Sequence, residues 1–252
     1  MPVKGRLDLD RFAEALANVG PRRLRAVDMT GIGEAFLHKG WDRALKMIRD
    51  RFPDATLSMN TNAILLDVDK FKRMLEIGID NLTISLNGTS RERYRAINQA
   101  DHFDTLVATI HEIEAYYRSQ SHHPMQVVVQ VLDTVNSPEE IATFLEWIGI
   151  ADDSAVTFSV HPYGNWGGVI FNYSCSDCYP CIHLYVPEVS YEGDVYACCV
   201  AHAVHDKEFL IGNLFKDRFD DMYKGAVFQG LHEANMNGTI HKKAHLCSTC
   251  NH

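Results

Sequence analysis

Residues 126–148 read QVVVQVLDTVNSPEEIATFLEWI, and the order of parts within that stretch decides the fold. Gln126 to Leu132 is dominated by β-branched valine, the composition of a strand. Ser137-Pro138-Glu139-Glu140 is a capping box, with proline at the first helical position, where its missing N–H costs nothing. Ile141, Phe144, Leu145 and Ile148 then share one helical face. Strand, short connection, capped helix is the repeating half of a βαβ unit.

The same alternation extends in both directions. Upstream, helical spacing links Leu9, Phe12, Leu16 and Val19, then Trp41, Leu45, Ile48 and Phe52, then Val68, Phe71 and Leu75 (stopped by Gly78), then Leu106, Ile110, Ile113 and Tyr117. Between them Leu24–Met29, Thr56–Asn60 and Asn81–Leu86 read as strands, and Ala155–Val160 is the next one downstream. Alternation of this kind predicts an α/β fold with a parallel sheet. Five strands are visible and the chain opens on a helix, so the pattern reads as one whose first strand is missing.

The strands carry a second message. Strands buried on both faces read as unbroken apolar runs, but these alternate. Asp28 and Thr30 share a face, as do Ser58 and Asn60; Thr83, Ser85 and Asn87; Gln126 and Gln130; and Thr157, Ser159 and His161. The opposite faces are apolar apart from Arg25. With helices over the apolar face, the polar face is expected to line an interior that holds water or ligand. An ordinary sheet of amphipathic strands is the plainer reading. A wide, incomplete barrel suits this pattern better than a closed eight-stranded one, whose centre is filled by branched apolar side chains.

Periodicity fails from His161 to Pro180, where HPYGNWGG has the glycine and aromatic content of a loop. The domain boundary is drawn there, giving 1–162 and 163–252. Beyond it, Ile182–Val189 and Val195–Cys199 are expected to form a hairpin turning at Gly193. Phe219–Asn235 is expected to be helical, with Gly225 and Gly230 as possible breaks.

All seven cysteines lie at or beyond Cys175. Thiols clustered in this way more often bind metal or do redox chemistry than form a disulfide framework. The Gly193 turn would return Cys198 to Cys181, and Cys247-x-x-Cys250 can grip one centre. Four thiolates suit either a [4Fe–4S] cluster or zinc. Cys178-x-x-Cys181 facing Cys247-x-x-Cys250 would give a zinc-ribbon-like site, and spacing alone does not separate these readings. Cys199 follows Cys198 and, on a strand, would point the other way. Cys175 and Cys178 are spare thiols, a second partial site or replacement ligands. His202, His205, His241, His245 and His252 crowd the same region, and most read as exposed loop residues.

Three strand ends carry polar or glycine-rich motifs: Thr30-Gly31-Ile32-Gly33-Glu34, Asn60-Thr61-Asn62 and Ser85-Leu86-Asn87-Gly88. All fall at carboxyl ends of strands, where barrels place their active sites.

At these residues the sequence resembles a known family. TGIGEAFLH, MNTNAILL and LTISLNGTSRERYRAI look like the core of radical S-adenosylmethionine (SAM) enzymes. CYPCIHLYV, EGDVYACCV, IGNLF and CSTC match, in order, the auxiliary-cluster region of the SPASM/twitch subgroup. The resemblance implies a partial (β/α)6 TIM-like barrel, here missing its first strand, plus a small C-terminal cysteine-rich SPASM/twitch domain. It implies that Gly31, Gly33 and Glu34 meet the methionyl amino group of SAM, and that Ser85 contacts the ribose or carboxylate, with Asn87 assisting. His161 and Tyr163 would approach the adenine. Cys181, Cys198, Cys247 and Cys250 would hold an auxiliary [4Fe–4S] cluster. Ala35 stands where the family usually has proline.

One departure is large. The family binds its catalytic cluster through CxxxCxxC after the first barrel strand, and this chain has no cysteine before Cys175. Either the chain is a fragment or it is a natural cluster-less relative; the retained SAM-site residues favour the fragment. A second [4Fe–4S] cluster is expected only if an upstream CxxxCxxC exists. With it, SAM cleavage would give a 5′-deoxyadenosyl radical that takes hydrogen from a peptide, sugar or small-molecule substrate. A flavodoxin or ferredoxin would donate the electrons. The alternative is a non-catalytic iron–sulfur or zinc protein derived from the same fold.

The totals are consistent with this. The chain has 252 residues, 46% of them hydrophobic, with 24 basic against 33 acidic side chains and a net charge of −9. That balance speaks against nucleic-acid binding. There is no run of about 18 apolar residues for a membrane span and no secretory signal in MPVKGRLDLD. A cytoplasmic location is expected.

Overall fold

The computed structural model describes residues 5–20, 24–31, 33–133, 136–150, 155–161 and 180–250. By contacts the chain divides into two compact units, Leu24–Tyr163 and a second that joins Met1–Arg23 to Gly164–His252. Cys175, Cys178, Tyr163 and His252 lie outside the described residues.

In chain order, α1 (Leu9–Ala17) precedes β1 (Ala26–Met29), α2 (Trp41–Arg51), β2 (Thr56–Thr61), α3 (Val68–Ile77), β3 (Asn81–Asn87), α4 (Arg91–Asn98), α5 (Phe103–Arg118), β4 (Gln126–Leu132), α6 (Pro138–Ile148) and β5 (Val156–His161). The five strands form one parallel sheet in the order β1-β2-β3-β4-β5. Each crossover steps to the next position, and parallel crossovers are right-handed, so the connecting helices gather on one face. Burial follows. On β3, Leu82, Ile84 and Leu86 are sealed, whereas Asn81, Thr83, Ser85 and Asn87 are half-buried. Each sealed aliphatic side chain contributes about 1.5–3 kcal/mol. Val127, Val129 and Val131 continue the sealed row on β4, and Phe71 of α3 meets Tyr117 of α5 edge-on at 5.2 Å behind the sheet. The polar residues pair across strands on the other face: Ser58 with Asn81, Asn60 with Thr83, and Ser85 with Gln130 and then Ser159.

Local chemistry sets the helix ends as expected. Ser137 and Glu140 form the reciprocal capping box with Pro138 in the first turn, and Gly78 closes α3 at φ 84°, where a side chain would be strained. Helix α4 has no counterpart in the sequence reading: RERYRAIN buries only Tyr94, and its start is fixed by the Ser90 hydroxyl accepting from the Arg93 N–H at 3.2 Å.

The second unit departs further from expectation. After a 3₁₀ turn at Ile182–Tyr185 come β6 (Glu188–Val189), β7 (Asp194–Tyr196), α7 (Cys199–Val204), β8 (Leu210–Asn213), α8 (Phe219–Met222), α9 (Ala226–Met236), α10 (Ile240–Lys243) and α11 (His245–Ser248). The sheet is antiparallel with β7 in the centre. The hairpin turns at Gly193, φ 85°, where a Cβ would strike the Phe215 ring. Its arms are shorter than the expected strands, because the apolar run 182–185 coils with Ile182 71% exposed and Cys199 opens a helix. Gly225 separates α8 from α9, whereas Gly230 stays helical because Phe228, Leu231 and Ala234 anchor that face in the core. Helix α1 belongs to this unit: Asn18 donates to the Leu214 carbonyl at 3.4 Å and the Arg11 guanidinium lies 4.3 Å from the Phe215 ring centre. The first 23 residues thus group with the C-terminal part rather than with the barrel strands.

Candidate functional site

At the carboxyl edge of the parallel sheet, Glu34 joins two strand ends. Its Oε1 accepts from the Phe36 N–H at 3.2 Å and the Thr61 hydroxyl at 3.0 Å, and its Oε2 accepts from the Asn62 N–H at 2.9 Å. A carboxylate has about four acceptor positions, so one remains. Gly31 and Gly33 precede it and are exposed, and a Cβ at Gly33 would meet nothing within 4 Å. The glycine leaves open space beside the main chain.

The next strand end is strained. Asn87 has φ 65°, the Gly88 N–H donates back to the Leu86 carbonyl at 2.8 Å in a γ-turn, and the register with β4 shifts between Ser85 and Asn87. Ala63, beyond β2, has φ 54°. Non-glycine residues in this region cost energy and persist where surrounding contacts hold them, often at functional sites. At Asn87 the contacts come from Asn136, which is 2% exposed. Its Oδ1 accepts from the Thr89 N–H at 2.9 Å and hydroxyl at 2.8 Å, while its Nδ2 donates to the Asn87 carbonyl at 2.8 Å and to the Leu132 carbonyl. Sequence reasoning passed over Asn136, whose partner Thr89 lies 47 residues away. Gly88 lies against α4, where a Cβ would come within 2.4 Å of the Tyr94 nitrogen. Ser85 stands half-buried on the polar face, and His161 ends β5 with Nε2 2.7 Å from the Ser159 hydroxyl.

In the second unit, four thiols come from three separate segments. Cys181 precedes the 3₁₀ turn, Cys198 is the N-cap of α7, Cys247 lies in α11 and Cys250 follows it. Cys198 and Cys247 both pack against the core built on Phe209, Phe228 and Leu246. Burial pushes the Cys247 thiol up to about 12, and the neighbouring Cys198, Cys250 and Cys181 push in the same direction. Cys198 is also raised, first by its hydrogen bond with Cys199 and then by burial, while that bond lowers Cys199. Cys199 feels the Glu188 carboxylate, and Glu188 bonds the nearly buried His202 at 2.8 Å. The choice of Cys198 over Cys199 therefore cannot rest on strand alternation, because Cys199 is helical; the side chains near Cys247 are what separate them. Among the described residues, no three His, Cys, Asp or Glu side chains converge as they would around a single metal ion. Cys181, Cys198 and Cys250 each lie near enough to act on the Cys247 thiol, as a looser set.

That donor set fits a cationic, thiophilic centre. Half-buried thiols gathered in this way are stabilised when metal takes the place of their protons.

A family model described as the radical SAM superfamily matches residues 2–148, and one described as an iron–sulfur cluster-binding domain matches 178–251. Both families bind [4Fe–4S] clusters, and the first binds SAM. A probable GTP 3′,8-cyclase of Metallosphaera sedula is 29% identical over 143 residues, 56% of this chain and 42% of that protein. A GTP 3′,8-cyclase of Aliarcobacter butzleri is 30% identical over 105 residues, 42% of this chain and 31% of its own length. The matched stretches thus span less than half of these curated relatives. Among solved structures, BtrN in complex with AdoMet and 2-DOIA superposes with a TM-score of 0.64 at 15% identity, covering 100% of this chain and 82% of BtrN. The enzyme anSMEcpe with bound AdoMet gives 0.63 at 13% identity, covering 99% and 77%. Such identities show a shared fold. No helix among the described residues is long and apolar enough to cross a membrane. With well over half of its length matched by one family model and its cysteine-rich end by the second, the chain is an iron–sulfur protein of the radical SAM superfamily with a C-terminal SPASM domain.

Proposed function

We propose that Cys181, Cys198, Cys247 and Cys250 hold an auxiliary [4Fe–4S] cluster, that Gly31, Gly33, Glu34, Ser85 and Asn87 hold SAM, and that the protein removes hydrogen from a peptide, sugar or other small molecule. The observation that carries the reading is the match of residues 178–251 to an iron–sulfur cluster-binding domain, a stretch that contains all four of these thiols. When bound, SAM with a reducing cluster supplies a carbon-centred radical; that second cluster depends on a CxxxCxxC that residues 1–252 do not contain. A flavodoxin or ferredoxin suits the electron supply.

The chain's own residues bind and orient. Three donors hold the Glu34 carboxylate still, and its remaining acceptor position suits the methionyl ammonium group. The open space at Gly33 admits a ligand to the main chain. Ser85, Gln130 and Ser159, in register across three strands, offer hydroxyl and amide groups, while the sealed face behind them keeps water from the sheet. GTP 3′,8-cyclases support the barrel portion through alignments of 143 residues at most, which leaves the substrate at the level of a class.

Anaerobic reconstitution with iron and sulfide tests the metal centre. About four iron and four sulfide per chain are expected, with visible thiolate-to-iron absorbance. Stoichiometric zinc without that absorbance would overturn the cluster. For the SAM edge, equilibrium dialysis against Glu34→Gln is decisive: unchanged SAM affinity removes Glu34 from the site.

A further inference from the structure

We propose that Asn235 is the positioning residue for Cys181, its carboxamide closing a two-point clamp on the Cys181 main chain. The proposal rests on the cluster reading above. Asn235 lies on α9 and is 1% exposed. Its Oδ1 accepts from the Cys181 N–H at 2.8 Å and its Nδ2 donates to the Cys181 carbonyl at 3.1 Å, across 54 residues of sequence. Cys181 has an extended main chain, φ −71° and ψ 118°, just ahead of the 3₁₀ turn, and its side chain does not cap that turn. A buried amide needs partners for both of its ends, and this one finds them on the two sides of a single residue.

One bond would let Cys181 swing about it. Two bonds from a planar group fix the main chain on either side of Cα, and with it the direction of the Cα–Cβ bond, leaving Sγ only its staggered χ1 positions. The orientation of the amide is itself determined. Nδ2 also lies 3.4 Å from the Tyr185 hydroxyl, which bonds His232 Nδ1 at 2.8 Å. A flipped amide would set its NH2 group against the Cys181 N–H. Cys198 and Cys247 are placed by helix ends packed on the core, whereas Cys181 is held by a side chain distant in sequence. Groups that orient a metal ligand in this way tune how tightly and in what geometry the centre is held.

Two replacements separate positioning from packing. Asn235→Leu keeps the branched shape and loses every hydrogen bond. Asn235→Asp keeps the acceptor for the Cys181 N–H but sets a carboxylate oxygen against the Cys181 carbonyl. The full chain is reconstituted anaerobically as wild type, Cys181→Ala, Asn235→Leu and Asn235→Asp, with folding checked by far-ultraviolet circular dichroism. Both Asn235 variants are expected to release iron to a chelator about 10- to 100-fold faster, and the paramagnetic resonance spectrum of the reduced cluster should change. An unchanged spectrum in the folded variants overturns the clamp, whatever the release rate; if Asn235→Leu does not fold, Asn235→Asp decides by the same criterion. The underlying reading fails separately, by wild-type iron content and spectrum in Cys181→Ala.

Discussion

The two units solve the problem of holding a site in opposite ways. At the barrel edge, Glu34 and Asn136 make their bonds within the protein, so the strained turn at Asn87 and the loop after β2 stand in place before any ligand arrives. In the C-terminal unit, Cys181, Cys198 and Cys250 stand near enough to Cys247 to make its thiol harder to ionise, after burial has done so. The first site is organised by hydrogen bonds, whereas the proposed second site gathers half-buried thiols. The strands differ in the same sense: β3 and β4 are seven residues each in a five-stranded sheet, and β6 is two residues in a three-stranded one.

The sharpest way to break this contrast is Cys247→Ala. Nearly all cluster iron should be lost after reconstitution while the barrel's circular dichroism persists; retained iron would move the centre elsewhere. Removal of iron by chelation comes next. Hydrogen exchange is expected to quicken in β7 and α9 and to stay unchanged in β3 and β4. Equal quickening in both would mean that the barrel also leans on the metal. Asn136→Ala strips partners from two carbonyls and from the Thr89 N–H, and should destabilise the barrel unit by roughly 2–4 kcal/mol, measured by denaturant titration. Weaker SAM binding should accompany it. The smallest effect is at the α6 cap, where Ser137→Ala should cost about 1 kcal/mol. The Ser137 N–H and the Arg93 side chain hold the Glu140 carboxyl below its usual range. Glu140 therefore stabilises the fold above the unfolded carboxylate pKa, and that contribution disappears as pH falls through the lower folded value. A melting series from neutral to acid pH on wild type and Glu140→Gln checks the sign.

The barrel was legible because its signals are local. Valine runs, the Ser137 box and Gly78 each specify their own element, and the alternation in LTISLN announced a polar face that burial reproduces on β3. Helix α4 escaped notice because a helix that buries one side chain has no apolar stripe to read. Ile182–Tyr185 misled for the opposite reason: a short apolar run does not distinguish a strand from a helical turn, and the 3₁₀ turn leaves Ile182 outside. Asn136 and Asn235 were invisible because an asparagine clamping residues 47 or 54 positions away leaves no pattern in its own neighbourhood. What sequence periodicity records is burial, and these two residues act by hydrogen bonding.

The strand order has a consequence for synthesis. Each barrel strand pairs with the one made just before it, so the sheet can grow one strand at a time as the chain leaves the ribosome. The thiol centre cannot be gathered in that manner. Its first member, Cys181, must wait some seventy residues for Cys250, and the Asn235 that grips it is itself made late. If these thiols are the ligands proposed above, the auxiliary site can be completed only after all five strands of the parallel sheet have been made.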